Sequence, residues 1–466
     1  MTAPLLLGGA VGAYLLLALI LGMWRANFIA LVVALTLFPA QLTHFSKLSY
    51  TGMAPAAPEL STYALVLSLI AVHLVISARR VVLRVWWPVL IALFIGMMFV
   101  WHSDPIMLAG AAQIALAVVA CGIGWQYGRE IIRDPALQVF AVRVMLAAAV
   151  SQVLVCVAQL SGVPLFEMDP QTAALMGERT NGTFNHPNNL GKAMLLLSIA
   201  ALPMAVSGHH RARKPGIATV GFAALAILLS GGRANVLALV MTVLIFALLA
   251  RGGSPRIALP LVVLAIGGPF VGAILARFDG DPGGGSRSHF MDVALQQLSI
   301  TFLPGVGPNS YVNVVGRLDP LTAGGLPVHN SFMLALVELG LVTAVLLFAP
   351  MIWWLVSAWR CRRLSGLPGA FGTAYVAAAP GIIMVAATGW GMLAGSILPF
   401  WTFVLGLLVG GMSLEDPSRT SLAAARSVPN PEVADVSTGS PWRVPPPRPH
   451  SPVVASGGGV SPANYD

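Results

Sequence analysis

Apolar runs of about 20 residues follow one another as far as residue 412, and none of the stretches between them is long and polar enough to build a soluble domain. Backbone N–H and C=O groups inside hydrocarbon must pair within the protein, so a chain patterned this way is held to helices packed on helices. Thirteen runs read as spans, near residues 4–24, 27–42, 62–78, 86–101, 106–125, 136–160, 188–206, 217–230, 234–250, 257–276, 330–358, 370–388 and 393–412. A re-entrant hairpin in the first pair or a break in the last would lower that number by one. Only 9% of the residues are charged and 57% are hydrophobic, whereas a soluble domain carries about 25% charged residues. The expected fold is all-α: a polytopic helical membrane protein of about 12–13 transmembrane helices over residues 1–412. The first run, Pro4 to Trp24, lacks a basic leader segment and is read as a retained span.

The net charge of +9 lies in short loops, which points to topology rather than to nucleic acid. The loops SARRVVLR (77–84), YGREIIRDP (127–135), HHRARKPG (209–216), RGGSPR (251–256) and RCRR (360–363) alternate with loops poor in cations, and the basic set is expected to face the cytoplasm. The outward loops then include two long ones, 161–187 and 277–328, and thirteen spans place the N-terminus outside. Residues 413–466 are rich in Pro, Ser and Gly and lack apolar periodicity, so they read as a disordered cytoplasmic tail. PPPRPHSP within it is either a polyproline docking segment or plain solvated chain. Cys121, Cys156 and Cys361 lie in or beside apolar runs without metal-ligand spacing, and no HExxH pair occurs among the nine histidines.

Cations on the outward side run against the usual charge bias and therefore need a reason. They are Lys47, Arg179, Lys192, Arg233, Arg277, Arg287 and Arg317, with Arg143 inside a span. Arg179 lies in GERTNGTFNHPNNLGK (177–192), Arg233 in LLSGGRANVLAL (228–239) and Arg287 in GGGSRSHFMDVALQQ (283–297). The last of these, an amphipathic stretch, leads into LPGVGPNSY (303–311), where Gly and Pro impose turns. One such arginine anchors a lipid headgroup or caps a helix C-terminus; several at one mouth form a site for a phosphate or pyrophosphate.

His329 begins HNSFMLALVELG (329–340) at the start of a long apolar run. A helix N-terminus and nearby guanidinium groups disfavour imidazolium, which leaves a neutral ring able to act as a general base. The other reading of His329 is a helix cap at the interface. Asn330 either orients a sugar hydroxyl or caps its own helix. Glu338 is nine residues on, about 13 Å along the helix, and serves as a structural tether or in catalysis. His186 is a second candidate base or a shaper of its Asn/Pro turn.

Three of these stretches, in this order, resemble the O-antigen ligase/polymerase superfamily of membrane glycosyltransferases. RTNGTFNHPNNLG is similar to its R-x-x-G-T-F-x-N-P-N-x-L-G, LSGGRANVLAL to its S-R-G before a span, and RSHFMDVALQQLSITFLPGVGPNSY with HNSFMLALVELG to its third motif, so that together they cover Arg179 to Gly340. Gly232, Met333 and Thr343 depart from the pattern, where Ser, Leu and Gly are usual. The resemblance implies a GT-C-like helical fold with a large outer loop over a lateral opening. It also implies inverting transfer of a glycan from a polyprenyl-pyrophosphate donor to an acceptor hydroxyl of a glycan, lipid or wall polymer, with no metal or other cofactor. By position, His329 matches the catalytic histidine, and Arg179, Arg233 and Arg287 match arginines that contact or organise the pyrophosphate. Asn188, Asn330 and Glu338 fall at supporting positions. The location implied is the cytoplasmic (inner) membrane with the site facing the periplasm or exterior. A modest outer loop and a single base favour ligation over polymerisation of lipid-linked repeat units. The reading from another class is a transporter or flippase of polyprenyl-linked glycans, whose cations would line a central path.

Overall fold

Each of the thirteen apolar runs contains a helix in the computed structural model, which describes residues 3–38, 61–77, 84–101, 105–168, 173–174, 176–177, 179–250, 255–270, 272 and 286–413. The tail from residue 414, Lys47, Arg277 and residues 273–285 of the long loop lie outside the described residues. In chain order the helices are α1 (Ala3–Leu21), α2 (Met23–Thr36), α3 (Thr62–Ile76), α4 (Trp87–Ile95, continued by a π turn Gly96–Val100), α5 (Pro105–Arg133), α6 (Pro135–Leu160), α7 (Pro187–Ala205), α8 (His210–Ser230), α9 (Arg233–Leu249) and α10 (Pro255–Gly267). Three helices of the long loop follow, α11 (Arg287–Thr301), α12 (Tyr311–Val315) and α13 (Pro320–Ala323), and then α14 (Ser331–Cys361), α15 (Gly366–Ala387) and α16 (Ile397–Met412). No strand occurs among the described residues.

Five helices, α5, α6, α8, α14 and α15, are long and apolar enough to cross a membrane. At 1.5 Å per residue even the 21 residues of α8 extend about 30 Å, the thickness of the hydrocarbon core. Large apolar side chains cover the outside of the bundle, with Phe99 and Leu248 each 82% exposed. Lipid, not water, is the solvent such a surface suits. The protein is thus an all-α membrane protein.

Centrally placed, α7 is buried from Leu190 to Ala205 without a break, as a helix apolar on all sides must be. It begins sharply: His186 is extended and its Nδ1 accepts the Asn188 N–H at 3.0 Å, and Pro187 occupies the first turn. Lengthwise packing of α5 on α16 depends on glycine, since a methyl at Gly124, Gly406 or Gly410 would lie 2.0 Å from a carbonyl oxygen of the facing helix. The short connections α8–α9 and α15–α16, the C-terminus of α6 and the N-termini of α5, α7 and α14 all meet at one end of the bundle. There the Gln152 and Gln159 side chains of α6 hold the turn at Gly182–Thr183, and the Gln113 amide of α5 donates to the Gly395 carbonyl. The basic segments Arg129–Arg133, His209–Lys214 and Arg360–Arg363 belong to the opposite end.

Candidate functional site

The long loop grips α14 where that helix is broken. Gly340 has φ 71° and ψ 170°, a conformation essentially confined to glycine, and it interrupts α14 between Leu339 and Leu341. A break of this kind orphans carbonyls and N–H groups that the helix would have paired. The turn 303–311 takes their place: the N–H groups of Val306 and Gly307 donate to the Val337 and Glu338 carbonyls at 2.9 and 2.8 Å, and the Leu341 N–H donates to the Phe302 carbonyl at 2.9 Å. Gly305, also at φ 71°, faces Gly340 so closely that a methyl there would lie 2.4 Å from Gly340 N. Trp101 clamps the turn from α4's side, its Nε1 donating to the Pro304 carbonyl at 2.9 Å.

Glu338 completes this clamp. Its side chain is fully buried, and its two carboxyl oxygens accept the N–H groups of Asn309 at 3.0 Å and Tyr311 at 3.1 Å. Of the two roles open in the sequence, tether and catalyst, the geometry is that of the tether. Asn330 likewise resolves as a cap, its Oδ1 accepting from the N–H groups of Phe332 at 2.9 Å and Met333 at 3.1 Å.

Directly before that cap stands His329. Its ring stacks on Phe290 of α11, centroids 5.5 Å apart and planes 22° from parallel. Its Nδ1 is buried without a hydrogen-bond partner. Burial lowers the ring's basicity below the usual histidine range, and the positive charges of Arg287 and Lys192 lower it further. From the sequence the helix dipole and arginines are the expected causes; burial against Phe290 instead comes first. Arg287 opens α11 one turn before Phe290 and is exposed. Beside it, His289 Nε2 meets the buried Asp319 Oδ1 at 2.8 Å, and Asp319 Oδ2 accepts the Thr322 N–H at 2.8 Å, so α11 is tied to the start of α13. The hydrogen bond from His289 and that from Thr322 hold the Asp319 carboxyl below the ordinary carboxylate range.

Lys192 joins the site through the structure; in the sequence it reads as one more cation at a helix end. It is buried one turn beyond Asn188 on α7, and a methyl at Gly391 would lie 2.2 Å from its Nζ. The 388–396 turn therefore folds over it, and the same turn accepts the Ser331 hydroxyl at the Gly389 carbonyl, 2.6 Å away. This turn is nearly 200 residues from Lys192 in the chain, and the charge of Lys192 acts on the His329 ring.

A second group of residues surrounds Arg179. Its Nε donates to the Ser230 carbonyl at 2.7 Å and one terminal nitrogen to Asn188 Oδ1 at 2.5 Å, which pins the loop before α7 to the end of α8. Asn235 of α9 reaches the Asn188 carbonyl at 3.5 Å. Arg233, the first residue of α9, follows Gly232, where a methyl would lie 2.7 Å from Asn235 Nδ2 and 3.5 Å from Asn188 Oδ1. Arg179 and Asn188 so organise the floor from which Arg233 starts. His186, the second candidate base, is the cap of α7. The three expected arginines thus fall into two groups at one end of the bundle, Arg287 with His329 and Lys192, and Arg179 with Asn188 and Arg233, joined through the first turns of α7.

Among the described residues no three His, Cys, Asp or Glu side chains gather as metal ligands would. No known family model matches the chain, and no curated protein matches it. Fold and site together define the class: an all-α membrane protein whose loop end gathers arginines, a buried lysine and a half-buried histidine of lowered basicity.

Proposed function

We propose that the protein is a membrane glycosyltransferase of the O-antigen ligase type, GT-C-like in fold, moving a glycan from a polyprenyl-pyrophosphate donor to an acceptor hydroxyl at the outer face of the cytoplasmic membrane. The observation that carries the reading is the His329 ring, stacked on Phe290 at the start of α14, where burial and the charges of Arg287 and Lys192 disfavour its protonation. In the proposed step His329 takes the proton of the acceptor O–H. The oxygen forms a bond to the anomeric carbon from the face opposite the pyrophosphate, so configuration inverts. The bond from that carbon to the pyrophosphate oxygen breaks, and its electron pair leaves on the polyprenyl pyrophosphate. Arg287, Arg233 and Lys192 supply positive charge where the leaving group gains negative charge. Arg179 and Asn188 act at one remove, through the backbone they hold. Cations in this role take the place of a divalent metal ion.

The cation-rich loops at the opposite end support a cytoplasmic assignment for that end, which turns the site outward. The test is purified protein in detergent with a lipid-pyrophosphate-linked glycan and candidate acceptors. Transfer with release of polyprenyl pyrophosphate, abolished by His329→Ala while donor binding persists and unaffected by EDTA, is the expected result. Donor movement across a vesicle without transfer would identify a flippase instead. Growth of the lipid-linked chain itself would make the enzyme a polymerase, whereas a full-length glycan joined to a different acceptor would make it a ligase.

A further inference from the structure

The end of the bundle remote from His329 carries a basic cavity that the proposed chemistry does not use. It has a volume of about 530 Å³ and is lined by Arg25 at the start of α2, Val139, Phe140 and Arg143 on α6, and His209 and Arg211 at the start of α8. No acidic side chain lines it among the described residues. The nearest acid in sequence, Asp134, is engaged as the cap of α6, accepting the Ala136 N–H at 2.8 Å. The cavity is preformed: Gln138 Nε2 donates to Ser207 Oγ at 2.7 Å, the His209 N–H donates to the same oxygen at 3.1 Å, and the Arg25 guanidinium lies 5.6 Å from the Phe140 ring centre. His209 Nδ1 is buried there without a hydrogen-bond partner.

Arg143 is the informative member. It lies eight residues into α6, about 12 Å along a helix long and apolar enough to cross the membrane, yet it is exposed. An exposed guanidinium on such a helix calls for a counter-charge, and no described acidic side chain forms an ion pair with it. Beyond it on the same helical face stand Ala147, Leu154 and Val157, all exposed and all apolar. A phosphate ester held by Arg25, Arg143 and Arg211 would therefore have an apolar track running from it toward the bilayer centre. A free phosphate has no use for such a track, and an acyl chain does.

We propose that this cavity binds the phosphate headgroup of an anionic glycerophospholipid from the leaflet opposite the His329 site, with the acyl chains lying along the exposed face of α6. The test uses full-length protein stripped of lipid in neutral detergent, with bound lipid counted by native mass spectrometry and thermal unfolding followed in parallel. Phosphatidylglycerol, phosphatidylcholine and inorganic phosphate are the three probes. The expected result is retained phosphatidylglycerol and a raised Tm, little effect of phosphatidylcholine or inorganic phosphate, and at least a tenfold weaker retention in Arg143→Gln. If Arg143→Gln does not fold, Arg211→Gln on the exposed first turn of α8 carries the same expectation. Equal retention of phosphatidylcholine, equal stabilisation by inorganic phosphate alone, or unchanged retention in the substituted protein would each overturn the proposal. None of these readouts depends on glycosyl transfer, so the site stands or falls separately from the proposed reaction.

Discussion

Glu338 offers the sharpest separation of structure from chemistry. Its carboxyl oxygens are the acceptors of two backbone N–H groups, those of Asn309 and Tyr311, in a setting without solvent. Leaving a buried donor unpaired costs about 1–3 kcal/mol, so Glu338→Ala destabilises the docked turn by about 2–6 kcal/mol. At about 1.4 kcal/mol per factor of ten, opening of the turn rises by between thirtyfold and roughly 10⁴-fold. Glu338→Gln keeps one acceptor and sets an amide donor against the second N–H, so its effect is smaller, about 1–3 kcal/mol. Hydrogen exchange of the peptides spanning 303–315, measured in detergent micelles, reads the opening directly, and glycosyl transfer is followed on the same samples. Protection and turnover should fall together, least in Gln and most in Ala. A Gln substitution with native protection and no turnover would show that Glu338 carries a proton and would refute the tether. Native protection in Ala would show that the two bonds do not hold the turn.

Other substitutions probe the remaining parts of the site. Arg287→Gln removes a charge that disfavours the His329 imidazolium, so the acid limb of kcat/KM, placed below the ordinary histidine value in the parent, should move to higher pH; an unmoved limb separates Arg287 from His329. Lys192→Met, close in shape but uncharged, should move that limb the same way and raise the donor KM about tenfold or more, and unchanged kinetics would remove Lys192 from the site. Gly340→Ala forces a side chain into a glycine-only conformation 2.1 Å from the Leu303 carbonyl oxygen, and a loss of at least about 1–3 kcal/mol should appear as a lower Tm. Combined with Gly305→Ala it should add little, because both substitutions break one contact, and full additivity in thermal unfolding would contradict the clamp.

Much of this architecture is legible in the residues because apolar length alone forces helices in a membrane. Helix ends are less legible. In α8 the helix begins at His210, not near 217, because His210–Lys214 has side chains long enough to reach polar surroundings while the backbone stays helical. In α5 the helix runs on to Arg133, eight residues past the apolar run, for the same reason. The last helix starts four residues late, at Ile397, since Gly389, Gly391 and Gly395 form the turn that covers Lys192. Within the site, His329 and the arginines are visible as cations and a ring at span ends, but which of them meet is decided by contacts between distant segments. The break at Gly340 hides inside a helical pattern, and what stabilises it is a turn some 35 residues upstream. Arg143 shows the same limit from the other side: its helix is readable, and its neighbours Arg25 and Arg211 are not.

The break also explains why a carboxyl nine residues from His329 belongs to the same device. It leaves Ser331–Leu339 as a short helix fixed at both ends. At its start the Asn330 side chain caps it and Ser331 bonds to Gly389, while at its finish Glu338 and the Gly305–Gly340 contact bind it to the loop. A helix of nine residues is about 13 Å long and bends little when both ends are held, so the position of His329 is set from below as well as from its own surroundings. The loop fixed by Glu338 is the one that carries Phe290 and Arg287. One carboxyl thus ties the helix that follows the ring to the loop that carries two of the groups near it. That double attachment is why loosening the turn should lower turnover even where His329, Arg287 and Lys192 are all intact.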